Sequence, residues 1–350
     1  MSKPRVIVDA HWRSINELFA PSTWADFNAR FDVVWGKDEP MPQALIDQNL
    51  PTVFAYVASE PQLDAERLAG AGQLKVVAEV AGHFPSAIDY EACARNGVEA
   101  ISCAPGFKQS VAEMGVAMAL SMARGLVREH EAFRSGDENW LSDCAGEDFS
   151  MVGAPIGFVG YGSIAREVHR MLTPFRPQVA CYDPWLAPDR AAQAGVELVE
   201  LDALMAHARC LFITAAPTRE NYQMVGAPLL AKLADNSLVV LLSRSHLVDF
   251  EALLGEAHRG RLKAAIDVFP NEPIAADHHV RQMGNVVLSP HRAAAVDGGR
   301  RLIGEMLLKD LNLVASGKAP QYFNRAASLD VAAMAGVGDA ASVVAMAAQR

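Results

Sequence analysis

Two groups of residues in this chain have types and spacing suited to chemistry. The first is Gly157-Phe158-Val159-Gly160-Tyr161-Gly162-Ser163-Ile164-Ala165, where a G-x-G-x-x-A pattern follows an apolar run and opens a helical stretch. The first glycine of that pattern permits a tight turn, the second lets backbone approach a pyrophosphate, and the small Ala165 lets helix and strand pack closely. Amides at the helix N-terminus can then receive phosphates. Asp183, in Cys181-Tyr182-Asp183-Pro184, lies 183 − 165 = 18 residues past Ala165. That is near the spacing of about 20 at which an acidic residue meets a ribose. A carboxylate there accepts both ribose hydroxyls and repels a 2′-phosphate, which points to NAD(H) rather than NADP(H). The competing reading, a turn cap before Pro184, is weakened by the glycine loop upstream.

The second group is Arg244 in Ser243-Arg244-Ser245, Glu272 in Asp267-Val268-Phe269-Pro270-Asn271-Glu272-Pro273, and His291 in Ser289-Pro290-His291. Each follows an apolar strand-like run, and ligands of α/β proteins bind beyond the carboxyl ends of strands. Hydride transfer at a carbon bearing a hydroxyl needs a proton acceptor, commonly histidine. A carboxylate beside that histidine fixes its tautomer and favours its charged form. An arginine fork grips a substrate carboxylate and polarises a carbonyl. Singly, each residue could be a solvated loop side chain; together, after strands of one fold, they form a coherent set.

The elements that must carry these groups are short β-branched runs alternating with helical stretches. Strands are expected near Val6–Val8, Val33–Trp35, Thr52–Tyr56, Leu74–Ala78 and Val98–Ile101. A second series is expected at Ile156–Val159, Val179–Tyr182, Leu211–Thr214, Leu238–Leu242, Ala264–Val268 and Val286–Leu288. A long helix is expected from about Ser110 to Phe133, with Ser110 and Glu113 as a capping box. Ser135–Ala154 reads as a loop, and the Ala-rich stretch from Asp330 to Arg350 as a weakly packed helix or a frayed tail, with a slight lean to helix. Nearly all-apolar strands with helices between them give α/β domains with parallel, doubly wound sheets.

The whole-chain arithmetic fits two such domains: 350 residues, 51% apolar and 21% charged, at about 100–200 residues per domain. The formal net charge is −10, with no basic cluster, so a nucleic-acid partner is not expected. No apolar stretch reaches the roughly 20 residues of a membrane span, and no signal peptide is visible. Five widely spaced cysteines without a CxxC pair favour reduced thiols and a cytoplasmic protein. The adjacent pair His278-His279 is a poor metal site, and no metal is expected.

At this point the chain resembles the D-isomer-specific 2-hydroxyacid dehydrogenases. The resemblance spans roughly residues 70–310. Its markers are Gly160–Ala165, Tyr182-Asp183-Pro184, Ala216-Pro217-Thr218, Ser243-Arg244 with Val248-Asp249, Asp267-Val268-Phe269 with Glu272-Pro273, and Pro290-His291. It implies that His291 is the acid/base, that Glu272 supports it and that Arg244 binds substrate. It implies cofactor contacts at Gly160, Tyr161, Gly162, Ser163, Ile164, Asp183, Pro184, Ala216, Pro217, Thr218, Ser243, Asp267 and Ala293. It implies an NAD-binding Rossmann domain, residues 109–299, inserted into a discontinuous flavodoxin-like substrate domain, residues 1–108 and 300–350. A small 2-oxo or 2-hydroxy acid as substrate, hinge closure and a homodimer are also implied.

Three departures stand out. Ser245 replaces the usual glycine after the arginine. Pro105–Glu113 lacks the usual Asn-Thr. The substrate loop reads Val80-Ala81-Gly82-His83-Phe84-Pro85-Ser86 in place of Gly-x-Gly-x-Asp. In the family, backbone amides of this loop help hold the substrate carboxylate, which assigns Ala81, Gly82 and His83 to substrate binding. The His83 ring either points to water or contacts substrate. Two other functions stay open: an NAD(H)-sensing, corepressor-like interaction protein, and an enzyme for phosphite. Glu272 argues against formate, where a glutamine is expected beside the histidine.

Overall fold

The computed structural model describes residues 2–141, 147–329 and 331–337. The chain divides into two compact units, Met1–Lys108 with Ala294–Arg350, and Gln109–Ala293. Both are α/β with a parallel sheet, as expected from the alternation of apolar strands and helices. The second crossing lies just before Ala294, not at 299/300. Arg300 pairs with Glu17 of the first unit at 3.8 Å, which binds the approach to helix Arg301–Ala315 into that unit.

The first unit contains β1 (Arg5–Asp9), β2 (Asp32–Val33), β3 (Ala55–Ala58), β4 (Val76–Glu79) and β5 (Glu99–Ser102), all paired in parallel. Their spatial order is β2-β1-β3-β4-β5, the flavodoxin-like winding. A final strand of this sheet, formed by Asn324–Arg325, runs antiparallel beside β5. Val6, Val8, Val57, Val76 and Ala78 bury one sheet face, and helix Arg301–Ala315 covers it through Ile303, Leu307 and Leu311.

The second unit contains β6 (Pro155–Val159), β7 (Gln178–Tyr182), β8 (Glu197–Leu198), β9 (Cys210–Ile213), β10 (Leu238–Leu241), β11 (Lys263–Ile266) and β12 (Val286–Leu288). The order is β8-β7-β6-β9-β10-β11-β12, all parallel, the doubly wound dinucleotide-binding topology. Strand order reverses between β6 and β9. The register aligns the strand ends there: Val159 lies opposite both Tyr182 and Ile213, so Gly160, Asp183 and Thr214 leave the sheet side by side. At the other end, Ile266 lies opposite Leu241 and Leu288. Asp267, Leu242 and Ser289 therefore leave together.

The long helix departs from expectation. It begins at Lys108, continuing a 3-10 turn at Ala104–Phe107, so Ser110 sits inside it, buried, and is not its N-cap. It stops at Ala123, because Gly125 adopts φ +60° and starts a separate helix, Leu126–Ser135. Among the described residues no single helix is long and apolar enough to cross a membrane. Of the expected tail helix, Val331–Met334 is helical; most of the remainder lies outside the described residues.

Candidate active site

The glycine turn is built from both its neighbours and its own backbone. Gly160 has φ +82°, and a Cβ there would lie 2.4 Å from the Ala215 Cα. The exit of β9 thus packs against bare backbone. Thr214 Oγ1 donates to the Gly160 carbonyl at 2.7 Å and ties the two strand ends together. Gly162, by contrast, is the N-cap of helix Ser163–Leu172, with no side-chain cap, and a Cβ there meets nothing within 4 Å. With no side-chain cap, the first N–H groups of that helix are left for an anion. Ser163 and Ile164, on the first turn, are half-buried beside it.

The Tyr161 side chain turns inward. It packs edge-on against Phe158, and its hydroxyl meets His169 Nδ1 at 2.6 Å. Only its backbone faces the turn, where its N–H donates to Asp183 Oδ2 at 2.8 Å. Asp183 Oδ1 accepts from the Trp185 N–H at 2.9 Å. The carboxylate is thus both pinned to the glycine turn and half-exposed beside Pro184, with lone pairs left for hydroxyl donors. Across β9, Ala216 is exposed and Pro217 half-buried, while Thr218 is buried and spends its hydroxyl on a capping box with Asn221. Ser243, after β10, has a buried Oγ with no hydrogen-bond partner.

Glu272 and His291 meet. Nδ1 of His291 lies 2.6 Å from Glu272 Oε2, while Glu272 Oε1 accepts from the Phe269 N–H at 2.9 Å. Burial pushes the Glu272 carboxyl up, but the His291 hydrogen bond and charge, the Phe269 N–H and the positive Arg244 outweigh it. The net shift is downward. An ionised carboxylate only accepts, so Nδ1 carries its proton toward Glu272 and Nε2 is the nitrogen free to exchange one. The Arg244 guanidinium donates to its own neighbour's carbonyl, Ser243 O, at 2.8 Å. Ser245 opens a 3-10 turn, Ser245–Leu247, with no left-handed backbone, so the position tolerates a side chain.

Asp267 sits where its role is to hold the histidine loop. It is 1% exposed, and Oδ1 accepts from Ser289 Oγ at 2.5 Å and the Arg292 N–H at 2.9 Å. Oδ2 accepts from the N–H of the buried Ala293 at 3.2 Å. These bonds grip the loop on both sides of His291, whose own N–H donates to the Asp267 carbonyl at 2.8 Å. His291 needs that grip, because it has φ +51°, a conformation costing about 1–3 kcal/mol for a residue with a Cβ.

In the first unit, the loop after β4 is organised around Glu79, which the sequence reading passed over. Glu79 Oε1 accepts from the Ala81 and Gly82 N–H groups, the latter at 2.6 Å. Oε2 accepts from the His83 N–H at 3.1 Å and from Ser102 Oγ at 2.8 Å. The visible signal was a lone glutamate in the apolar run Val76-Val77-Ala78-Glu79-Val80. The His83 ring does not point to water: Nδ1 lies 3.5 Å from Glu79 and Nε2 3.5 Å from Glu60. Phe84 is buried against Tyr90.

An uncapped helix end at Gly162, a carboxylate at the end of β7 and an orphaned Ser243 hydroxyl fit a dinucleotide. The Glu272–His291 pair with Arg244 beside it can bind an acid and move a proton. Comparison with known proteins agrees with this chemistry. The family described as "D-isomer specific 2-hydroxyacid dehydrogenase, NAD binding domain" matches residues 116–293. The chain belongs to the D-isomer-specific 2-hydroxyacid dehydrogenase family, and its cofactor is NAD(H). It is 30% identical over 306 residues to a D-3-phosphoglycerate dehydrogenase of Mycobacterium bovis, covering 87% of this chain and 57% of that protein. The chain thus spans a little over half the length of that relative. A glyoxylate reductase of Thermococcus litoralis is 25% identical, covering 82% of this chain and 88% of its own. A phosphoglycerate oxidoreductase from Rhizobium etli superposes with a TM-score of 0.82 at 30% identity, over 92% of this chain and 98% of its own.

Proposed function

We propose that the protein is an NAD-dependent oxidoreductase that interconverts a 2-oxo acid and its 2-hydroxy acid. The observation that carries this reading is the 2.6 Å Glu272–His291 contact, with Arg244 close enough to lower the Glu272 carboxyl further. The nicotinamide, when bound, supplies or accepts the hydride at C2. Gly160, Gly162, Ser163, Ile164 and the Tyr161 backbone hold the pyrophosphate, and Asp183 with Pro184 meets the adenosine ribose. Ala216, Pro217, Thr218, Ser243, Asp267 and Ala293 border the rest of the cofactor.

Arg244 holds the substrate carboxylate and polarises the C2 oxygen. In reduction, His291 Nε2–H gives its proton to that oxygen, and Glu272 stabilises the imidazolium beforehand. In oxidation, Nε2 takes the proton back. Asp267 keeps the imidazole at its post through Ser289, Arg292 and Ala293. NADH consumption with a panel of 2-oxo acids tests the activity, and His291→Ala should lower kcat by about 10²–10⁴. Undiminished turnover in that variant would sink the assignment.

The same reading includes a homodimer formed through the second unit. Helix Leu126–Ser135 has no buried residue, and Leu126, Phe133, Trp140 and Leu141 stand exposed on and after it. Such a patch on a helix is suited to a partner copy. Light scattering of the wild type against Phe133→Glu tests it, and a monomeric wild type rejects it.

A further inference from the structure

Arg13, just after β1 in the first unit, is 7% exposed, yet most of its donors are unspent. Its Nε donates to the Val80 carbonyl at 3.2 Å. Its guanidinium carbon lies 4.2 Å from the ring centre of Trp12 and 5.3 Å from that of Phe107, so stacking and the Val80 bond fix the fork. A guanidinium carries five N–H donors, and Val80 takes one. Among the described residues, Nη1 and Nη2 have neither a hydrogen-bond partner nor an ion pair. The Nε1–H of the stacked Trp12 ring is buried and also without a partner. A charge buried this deeply is normally paired, but the neighbouring acids are spent elsewhere. Glu79 is committed to the N–H groups of its own loop and to Ser102. Glu17 accepts from the Ser14 N–H and lies 3.8 Å from Arg300. Burial pushes the Cys103 thiol well above its ordinary range, so it stays neutral. Burial first, and the positive Arg300 second, push Arg13 itself down to about 10 against the opposing pull of Cys103, Glu17 and Glu79.

We propose that Arg13 anchors a binding site for a phosphate group, built wholly within the first unit. Nη1 and Nη2 meet two of its oxygens, the Trp12 indole N–H is a further donor, and Arg300 adds a second positive charge. With Nε held by Val80, only the end of the fork is open, and that edge takes two oxygens in parallel. A phosphate group fits better than a carboxylate. It carries close to two negative charges near neutral pH and three strong acceptor oxygens, which match two cationic groups and an additional N–H. Its charge supplies the counter-ion that the protein does not give Arg13. The site uses no residue of the second unit and does not depend on the 2-oxo acid reading.

The test is thermal melting of the full chain, with saturating NADH to fill the dinucleotide site, in sodium phosphate against sodium chloride of the same ionic strength. Phosphate should raise the Tm of the wild type by about 2–4 °C. The shift should vanish in Arg13→Gln and persist in Arg244→Gln, which separates this site from the arginine assigned to substrate. No shift in the wild type, an equal shift in chloride, a shift kept in Arg13→Gln or a shift lost in Arg244→Gln each overturns the proposal. If Arg13→Gln does not fold, Arg13→Lys replaces it. That variant keeps the charge and loses the fork, so it should need about five- to tenfold more phosphate for the same shift, the worth of one hydrogen bond. An unchanged phosphate dependence there also overturns the proposal. A second arm identifies the source of the group, with glycerol 3-phosphate as probe and glycerol as control. Action at lower concentration than inorganic phosphate marks an esterified ligand, and the reverse marks free phosphate; in both cases the effect must be lost with Arg13. The readout is a melting shift rather than turnover, so its failure and that of the proposed activity are distinguishable.

Discussion

The two glycines of the nucleotide loop should respond to the same substitution in opposite ways. In Gly160→Ala, the new Cβ arrives 2.4 Å from the Ala215 Cα, at φ +82°. Backbone on both sides cannot yield cheaply. A left-handed alanine costs about 1–2 kcal/mol, and overpacking adds about 1–3 kcal/mol, together about 2–5 kcal/mol. For a domain of this size that lowers Tm by roughly 5–15 °C. In Gly162→Ala, φ is −79° and a Cβ meets nothing within 4 Å. Stability should stay within about 0.5 kcal/mol of wild type. The methyl group does, however, stand where a pyrophosphate must touch the helix end. An overlap of about 1–3 kcal/mol weakens NADH binding roughly 5–150-fold. Thermal melting of the apoprotein and fluorescence titration with NADH read the two effects separately. A Gly162→Ala variant that binds NADH like wild type would show that this helix end is not the cradle. An unshifted Tm in Gly160→Ala would refute the packing argument.

Three further outcomes follow from the site. Glu272→Gln removes the carboxylate that holds the His291 Nδ1 proton and aims Nε2, so kcat should fall by about 100-fold; kcat near wild type would mean the carboxylate serves only in packing. Because the folded-state Glu272 carboxyl is held low, its contribution to stability is present above the ordinary carboxylate range and is lost as pH falls through the lowered value; the Tm gap between wild type and Glu272→Gln should shrink accordingly on acidification. Asp183→Ala should raise KM for NADH about 10–100-fold, the worth of hydrogen bonds to a charged group, while narrowing the gap to NADPH; an unchanged cofactor ratio contradicts the ribose assignment. Asp267→Ala orphans Ser289, Arg292 and Ala293 donors and releases the left-handed His291, so kcat should fall at least about 100-fold with Tm lowered too; kcat near wild type would show that His291 holds its own geometry.

Much of the site was legible because its signals are short in sequence. The glycine loop, Asp183, Arg244, Glu272 and His291 each lie within about six residues of the end of an apolar run, and parallel sheets place such positions at one edge. Other readings failed where a local signal competed with packing. Ser110 and Glu113 have capping-box spacing, yet the 3-10 turn at Ala104–Phe107 starts the helix earlier, and Ser110 is buried in it. Gly125 breaks what reads as one helix, since nothing in the apolar periodicity registers a left-handed residue. Tyr161 lies in the nucleotide motif but sends its ring to Phe158 and His169.

Taken alone, the sequence determined the class: two doubly wound domains, a dinucleotide turn with an acidic partner, and an arginine, a glutamate and a histidine after later strands. These follow from periodicity and from residues whose conformational demands are local. Which carboxylate does what was decided only by tertiary structure. Asp183, Asp267, Glu272 and Glu79 all end strands or follow them, and nothing in their residue type separates them. Register and burial separate them. Asp183 keeps lone pairs beside solvent, Glu272 faces an imidazole, Asp267 holds the histidine loop, and Glu79 is enclosed by N–H groups of its own loop and a hydroxyl from β5. A carboxylate's role is set by the donors around it, and those donors are brought together by the sheet.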